Sequence, residues 1–252
     1  MTVRVVGVDC ATDPKRVGYA FARFSSGRTV LDHVAVGSVK RSPLDAIADW
    51  LGDSAAPALL ALDAPLGWPV PLAEALRDHQ AGQRLPGEAN MLFRRYTDRV
   101  IRKRIGKQSL DVGADRIART AHAALELLDG LRSRLRKPIP LAWCVPTFGI
   151  HAIEVYPAAT LAAHGIDATG YKGTSGREHR ERVLSSIGQR IAVRTTIPDI
   201  DRASDGLDAA LCVLTAHDFL VGAAIPPDSQ APHQTEGWIW VRDPDDAAHG
   251  DN

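Results

Sequence analysis

Val3-Arg4-Val5-Val6-Gly7-Val8-Asp9 is a β-branched apolar run that ends in an acid, and Ala58-Leu59-Leu60-Ala61-Leu62-Asp63 repeats the pattern further along the chain. Apolar runs of this kind mark strands covered on both faces of a sheet. If the two strands are neighbours, Asp9 and Asp63 meet at one edge of that sheet. Crevices outside strand C-termini are where open α/β sheets place their ligands.

Outward from these two runs, residues 16–24 and 28–37 read as strands separated by the turn Ser25-Ser26-Gly27. With the first run they predict a three-strand antiparallel meander. Ser42-Pro43 supplies an N-cap and a proline at the first helical position, and Leu44, Ile47, Ala48 and Leu51 follow at helical spacing until Gly52. Ala152-Ile153-Glu154-Val155-Tyr156 predicts a fifth strand. A short helix follows over 157–164, then a charged helix over 177–187 capped by Thr174 or Ser175, an apolar helix over 204–220, and a short late strand in Gly237-Trp238-Ile239-Trp240-Val241. This order predicts an α/β chain with a ribonuclease-H-like mixed five-stranded sheet: an antiparallel meander plus parallel strands, with helices on both faces. Residues 1–241 form a single domain in this reading, with a mostly helical insertion at about 66–145. Within it, residues 115–131 carry Ile117, Ala121, Ala124, Leu125 and Leu128 on one helical face. Residues 242–252, acidic and nearly devoid of apolar side chains, are expected to be a flexible tail.

The 252 residues carry 30 basic and 30 acidic side chains, so bulk attraction to nucleic acid or anionic membrane is excluded, but a local basic patch is not. No secretory h-region opens the chain and no run of about 18 apolar residues occurs, which predicts a cytoplasmic protein with no membrane partner. Cys10, Cys144 and Cys212 are odd in number and far apart, which fits reduced thiols better than disulfides or a zinc site. Sequence signatures of serine hydrolases, P-loops, dinucleotide folds and zincins are all missing.

Asp205 and Asp208, spaced i, i+3 at the start of the last apolar helix, project from one face of its first turn. Four acids can then converge with Asp9 and Asp63. Carboxylates brought together repel unless a cation neutralises them, and Mg²⁺ or Mn²⁺ suits an oxygen-only site. A two-metal-ion hydrolysis of phosphodiester bonds needs no side-chain nucleophile. Each acid also fits a structural role: an Asx-turn for Asp9, turn initiation before Ala64-Pro65 for Asp63, helix capping and first-turn dipole effects for Asp205 and Asp208. Glu154, an acid inside a strand, is a further ligand or base or the partner of a buried cation. Phe93-Arg94-Arg95-Tyr96-Thr97-Asp98-Arg99-Val100-Ile101-Arg102-Lys103-Arg104 holds six cations against one acid, so Arg94 and Arg95, with Lys172 from a glycine loop, are candidate phosphate contacts; a solvated helix face is the competing reading.

These pieces resemble the bacterial and archaeal family called domain of unknown function 429, described as predicted nucleases of ribonuclease-H fold. The resemblance is carried by Val8-Asp9-Cys10-Ala11, Leu62-Asp63-Ala64-Pro65-Leu66-Gly67, Arg95 to Arg99, Glu154-Val155-Tyr156-Pro157, Gly170-Tyr171-Lys172-Gly173 and Asp205-Gly206-Leu207-Asp208-Ala209-Ala210. Asp205-x-x-Asp208 is also similar to the acid pair of RuvC-type resolvases. The resemblance implies a metal-dependent nuclease acting on DNA or RNA. Asp9, Asp63, Asp205 and Asp208 would be its metal ligands, Glu154 a further catalytic acid, and Arg94, Arg95, Asp98, Arg99 and Lys172 its substrate-binding residues. Two alternatives stay open: a non-catalytic nucleic-acid or protein-binding module of the same fold, and an actin-like ATP-dependent phosphotransferase.

Overall fold

The structure, a computed structural model, describes residues 1–52, 55–173 and 176–245. β1 (Thr2–Asp9), β2 (Gly18–Ser25) and β3 (Arg28–Val36) form the expected meander, with β2 antiparallel to both neighbours. α1 (Pro43–Leu51) starts at Ser42, whose hydroxyl accepts the Asp45 N–H at 3.1 Å. β4 (Ala58–Asp63) then runs parallel to β1, with Asp9 opposite Asp63 in the register. α2 (Val70–Leu76), α3 (Ala89–Leu92), α4 (Tyr96–Ile105) and α5 (Asp115–Leu135) precede β5 (Ile150–Val155), which is parallel to β4. α6 (Pro157–Ala163), α7 (Arg177–Gly188), β6 (Ala192–Val193), α8 (Asp205–Leu220), α9 (His233–Glu236) and β7 (Ile239–Trp240) complete the chain. The residues expected to cap α7, Thr174 and Ser175, lie outside the described residues.

The result is an α/β fold whose mixed sheet has seven strands rather than five, in the order β6-β3-β2-β1-β4-β5-β7. The two additional members are edge strands of two residues each, β6 on β3 and β7 on β5. Two residues carry no periodicity, so β6 leaves no trace in the sequence. β7 lies within the late apolar run, and its place in the sheet depends on pairing that the run does not encode.

Strand alternation sorts the core onto two faces. Val3 and Val5 of β1 and Leu59 and Ala61 of β4 pack under α8, whereas Val6, Val8, Leu60 and Leu62 pack with α1 and with Ala124, Leu128 and Leu131 of α5. Asp9 and Asp63 share the parity of the first set, so both face α8. From Gly206 to Leu220 every residue of α8 except His217 is buried, as an apolar sequence without a polar stripe requires. Two glycines set how close α8 comes. A Cβ on Gly7 would overlap the Ala209 carbonyl oxygen, and one on Gly18 would overlap that of Asp205. The first turn of α8 is thereby held against the ends of β1 and β2. Among the described residues no helix is long and apolar enough to cross a membrane. Asp243 and Asp245, at the start of the expected tail, pair with Arg104 at 2.7 and 3.1 Å; residues 246–252 lie outside the described residues.

Candidate functional site

Asp9 and Asp63 end adjacent parallel strands in register, which sets their backbones about 4.8 Å apart. Asp208, 2% exposed, comes down on them from the first turn of α8. Its Oδ1 accepts the Tyr171 hydroxyl at 2.9 Å, and its Oδ2 lies 3.4 Å from Lys172 Nζ. Asp205 starts the same turn and meets Arg16 Nη2 at 3.3 Å.

The electrostatics tie these groups into one unit. Burial first, then Asp208 and Asp63, push the Asp9 carboxyl well above the usual carboxylate range, while Lys172 acts in the opposite sense. Asp63 is pushed up to about 7, again by burial first and then by Asp208, with Glu154 adding and Lys172 opposing. Burial also raises Asp208, against Lys172, Tyr171 and Ser204. Burial disfavours the Lys172 ammonium, yet Asp208, Asp63 and Asp9 together hold its pKa above the ordinary value. These carboxyls resist ionising together, and the ammonium is the cation that relieves them. The Lys172 side chain is 59% exposed, so solvent screens this pair and separating it costs little.

The donor set is one that a hard divalent ion takes: carboxylate oxygens short of positive charge. Among the described residues, no three His, Cys, Asp or Glu side chains are grouped so as to hold a metal ion. The acids instead border two adjoining cavities. One, of about 350 Å³, is lined by Asp9, Asp205, Asp208, Arg16, Arg116 and Arg119 among others. The other, of about 460 Å³, is lined by Asp63, Glu154, Tyr156 and Tyr171 among others. Cys10, Thr120 and Lys172 line both, so Lys172 stands at the wall between Asp63 and the other acids. Burial, then Asp63 and Asp9, keep Cys10 and Cys212 as thiols.

The basic segment is placed differently from expectation. Arg95 is not available to phosphate: 1% exposed, its guanidinium donates to Asp98 Oδ1 at 3.0 Å and to Glu154 Oε1 at 2.6 Å and Oε2 at 2.7 Å. Asp98, fully buried, also accepts the Arg95 backbone N–H at 2.9 Å and so caps α4 rather than meeting substrate. Glu154 shares the strand parity of Ile150 and Ala152, reaches the cavity that Asp63 lines, and accepts the Leu66 N–H on its Oε2 at 2.9 Å. It holds the turn that follows Asp63. Arg94 and Arg99 border a separate cavity. Lys172 lies within the acid cluster, as a counter-ion.

Besides Lys172, the cations that line the acid cavity are Arg16, Arg116 and Arg119, none of them among the expected site residues. Arg116 and Arg119 lie i, i+3 on the polar side of α5. That spacing is visible in the sequence; the fact that this side of α5 overhangs the end of β1 is not.

The sequence model of the family described as "Protein of unknown function (DUF429)" matches residues 7–231. No curated protein matches the chain. Among solved structures, "T. thermophilus RuvC in complex with Holliday junction substrate" is similar at 11% identity and a TM-score of 0.37, with 89% of this chain and 99% of that one covered. With the match running from the end of β1 past α8, the chain belongs to the family described as Protein of unknown function (DUF429).

Proposed function

We propose that the chain is a metal-dependent nuclease of ribonuclease-H-like fold, with residues 1–241 as one domain and DNA or RNA as substrate. One observation carries the reading: Asp9, Asp63 and Asp208, from three separate elements, face one another at the C-terminal edge of the sheet and hinder each other's ionisation. Burying three acids together is unfavourable for the fold, and such perturbed clusters in a cleft are characteristic of functional sites. The strand order β3-β2-β1-β4-β5, antiparallel through β1 and parallel after it, agrees with the fold expected from element order.

Asp9, Asp63 and Asp208 are not grouped to hold an ion as they stand, so holding Mg²⁺ or Mn²⁺ would require them to draw together, with Asp205 at the cavity rim. Bound there, the ion would supply charge neutralisation and Lewis acidity toward a phosphodiester. The chain's own groups do the rest. Tyr171 fixes Asp208 Oδ1, Lys172 yields its place beside Asp208 Oδ2 and turns its ammonium to a phosphate oxygen, and Arg116 and Arg119 clamp the neighbouring backbone. Glu154, paired with Arg95, holds the turn after Asp63 in place.

The test is to incubate labelled single-stranded DNA, duplex, RNA and branched substrates with the pure protein in Mg²⁺, Mn²⁺ or EDTA, alongside Asp9→Asn. Strand cleavage that requires the metal and falls at least about a thousandfold in the variant is expected. ATP hydrolysis without strand scission would replace this reading with a phosphotransferase. Binding without turnover, unchanged by Asp9→Asn, would replace it with a binding module.

A further inference from the structure

The six cations of residues 94–104 do not share one fate. Arg95 turns into the interior toward Glu154 and Asp98, and Arg104 reaches Asp243 and Asp245. The other four, Arg94, Arg99, Arg102 and Lys103, converge with Asn90 and Gln108 on a cavity of about 420 Å³. All six lining residues are polar and none is acidic.

A solvated helix face does not account for this convergence. Arg99 stands i, i+3 from Arg102 and i, i+4 from Lys103, so α4 brings like charges onto one face, which is unfavourable for an isolated helix. The helix dipole favours Arg102 and Lys103 in the last turn, but not Arg99 earlier in the helix or Arg94 ahead of it. The guanidiniums are also held in place. Arg94 donates to Asp111 Oδ1 and Asn90 Oδ1, both at 3.0 Å; Arg99 to the Arg94 carbonyl at 2.7 Å; Arg102 to Gln108 Oε1 at 2.6 Å. Among the described residues no acid pairs with Arg99, Arg102 or Lys103. Preorganised forks of this kind, with Arg99 and Arg102 left unneutralised beside the Asp111-paired Arg94, match the oxygens of a phosphate.

Residues 108–110 connect this cavity to the acid site. Gln108 lines the basic cavity, and its carbonyl accepts the Tyr156 hydroxyl at 3.2 Å; Ser109 and Leu110 line the cavity that contains Asp63 and Lys172. From this continuity we propose that the pocket of Arg94, Arg99, Arg102 and Lys103 grips a backbone phosphate of the nucleic acid away from the bond that is cut. The proposal rests on the nuclease reading and adds a second, non-catalytic contact that orients the strand across the ridge of residues 108–110.

The experiment measures anisotropy of a labelled oligonucleotide against salt, with wild type and Arg102→Gln/Lys103→Gln, two exposed positions that the fold tolerates. Each phosphate contact contributes roughly 0.7–0.9 to the slope of log affinity against log salt. The double variant is expected to reduce that slope by about 0.7–0.9, which is about five- to eightfold in affinity at 0.1 M salt relative to 1 M. An unchanged slope, with Asp9-dependent cleavage by the wild type intact, would overturn this site and leave the catalytic reading in place. A reduced slope without any Asp9-dependent cleavage would do the reverse. Calorimetry with pyrophosphate forms the second arm: pyrophosphate bound by the wild type and not by the variant, with no oligonucleotide binding by either, would make the pocket a small-phosphate site and overturn the strand contact.

Discussion

Asp63→Asn removes one charge from the acid cluster while keeping the shape of the side chain, and its effect on stability follows from the cluster's electrostatics. The folded chain raises this carboxyl from an ordinary value of 3.8 to about 7. Each tenfold change in proton affinity is about 1.4 kcal/mol, so the ceiling is roughly 4 kcal/mol. Asp63 keeps part of its surface on the cavity, and solvent screening there reduces the figure to about 2–3 kcal/mol. The sign follows from proton binding. Below about pH 4 the carboxyl is protonated in both states and contributes nothing; between about pH 4 and 7 the unfolded chain ionises and the folded chain does not, so wild-type stability falls as pH rises. Above pH 7 the full penalty applies. The Asn variant has no such penalty, so its advantage over wild type should be near zero at pH 4 and about 2–3 kcal/mol at pH 8, or about 5–10 °C in Tm for a chain of this size. Thermal unfolding followed by circular dichroism at pH 4, 6 and 8 in EDTA measures it. Repeating the pH 8 scan in Mg²⁺ should raise the wild-type Tm toward that of the variant and leave the variant unmoved. A gain that is flat with pH, or an Asn variant less stable than wild type at pH 8, would refute the claim that Asp63 is held in a site short of positive charge.

Two further substitutions test how the site is supported. Arg95→Met leaves Glu154 and Asp98 buried without their cation, and should cost about 3–5 kcal/mol in urea unfolding; a loss under about 1 kcal/mol would show that the pair does not hold the turn after Asp63. Gly18→Ala places a methyl against the Asp205 carbonyl and shifts the first turn of α8. Stability should fall by about 1–3 kcal/mol, and metal-dependent cleavage by more than about tenfold at temperatures where the variant is folded. Full activity in a destabilised variant would separate the position of α8 from catalysis.

The parts of the site that can be read from the sequence are those in which local pattern and chemistry coincide. Two buried apolar runs ending in Asp9 and Asp63 predict parallel neighbours, and the register sets those residues side by side. Asp205 and Asp208 are recognisable as a helix-opening pair, but not which of them turns inward. That choice depends on the rotation of α8 about its axis, set by contact with Gly7 and Gly18, and a glycine within a strand does not announce a helix resting on it. β6 escapes for a simpler reason, since two residues are too few for alternation to register, whereas β7 lies within the late strand expected over residues 237–241 and only its place in the sheet escapes.

The cations divide along a different line. Arg94 and Arg95 are indistinguishable in sequence, yet one lines an open cavity and the other is, with Arg180, one of two fully buried arginines among the described residues. What separates them is Glu154. An acid inside a covered strand requires a buried positive charge, because an unpaired carboxylate there costs several kcal/mol or must stay protonated. The sequence thus contains the demand, in a strand, and a supply of six candidate cations, in a segment far along the chain. Matching one to the other requires knowing that α4 begins beside the end of β5, and that placement is tertiary. The same reasoning covers Lys172: three acids that cannot all ionise require a cation, and this one rides on a glycine-flanked loop that delivers its ammonium to Asp208 while 59% of its side chain stays exposed.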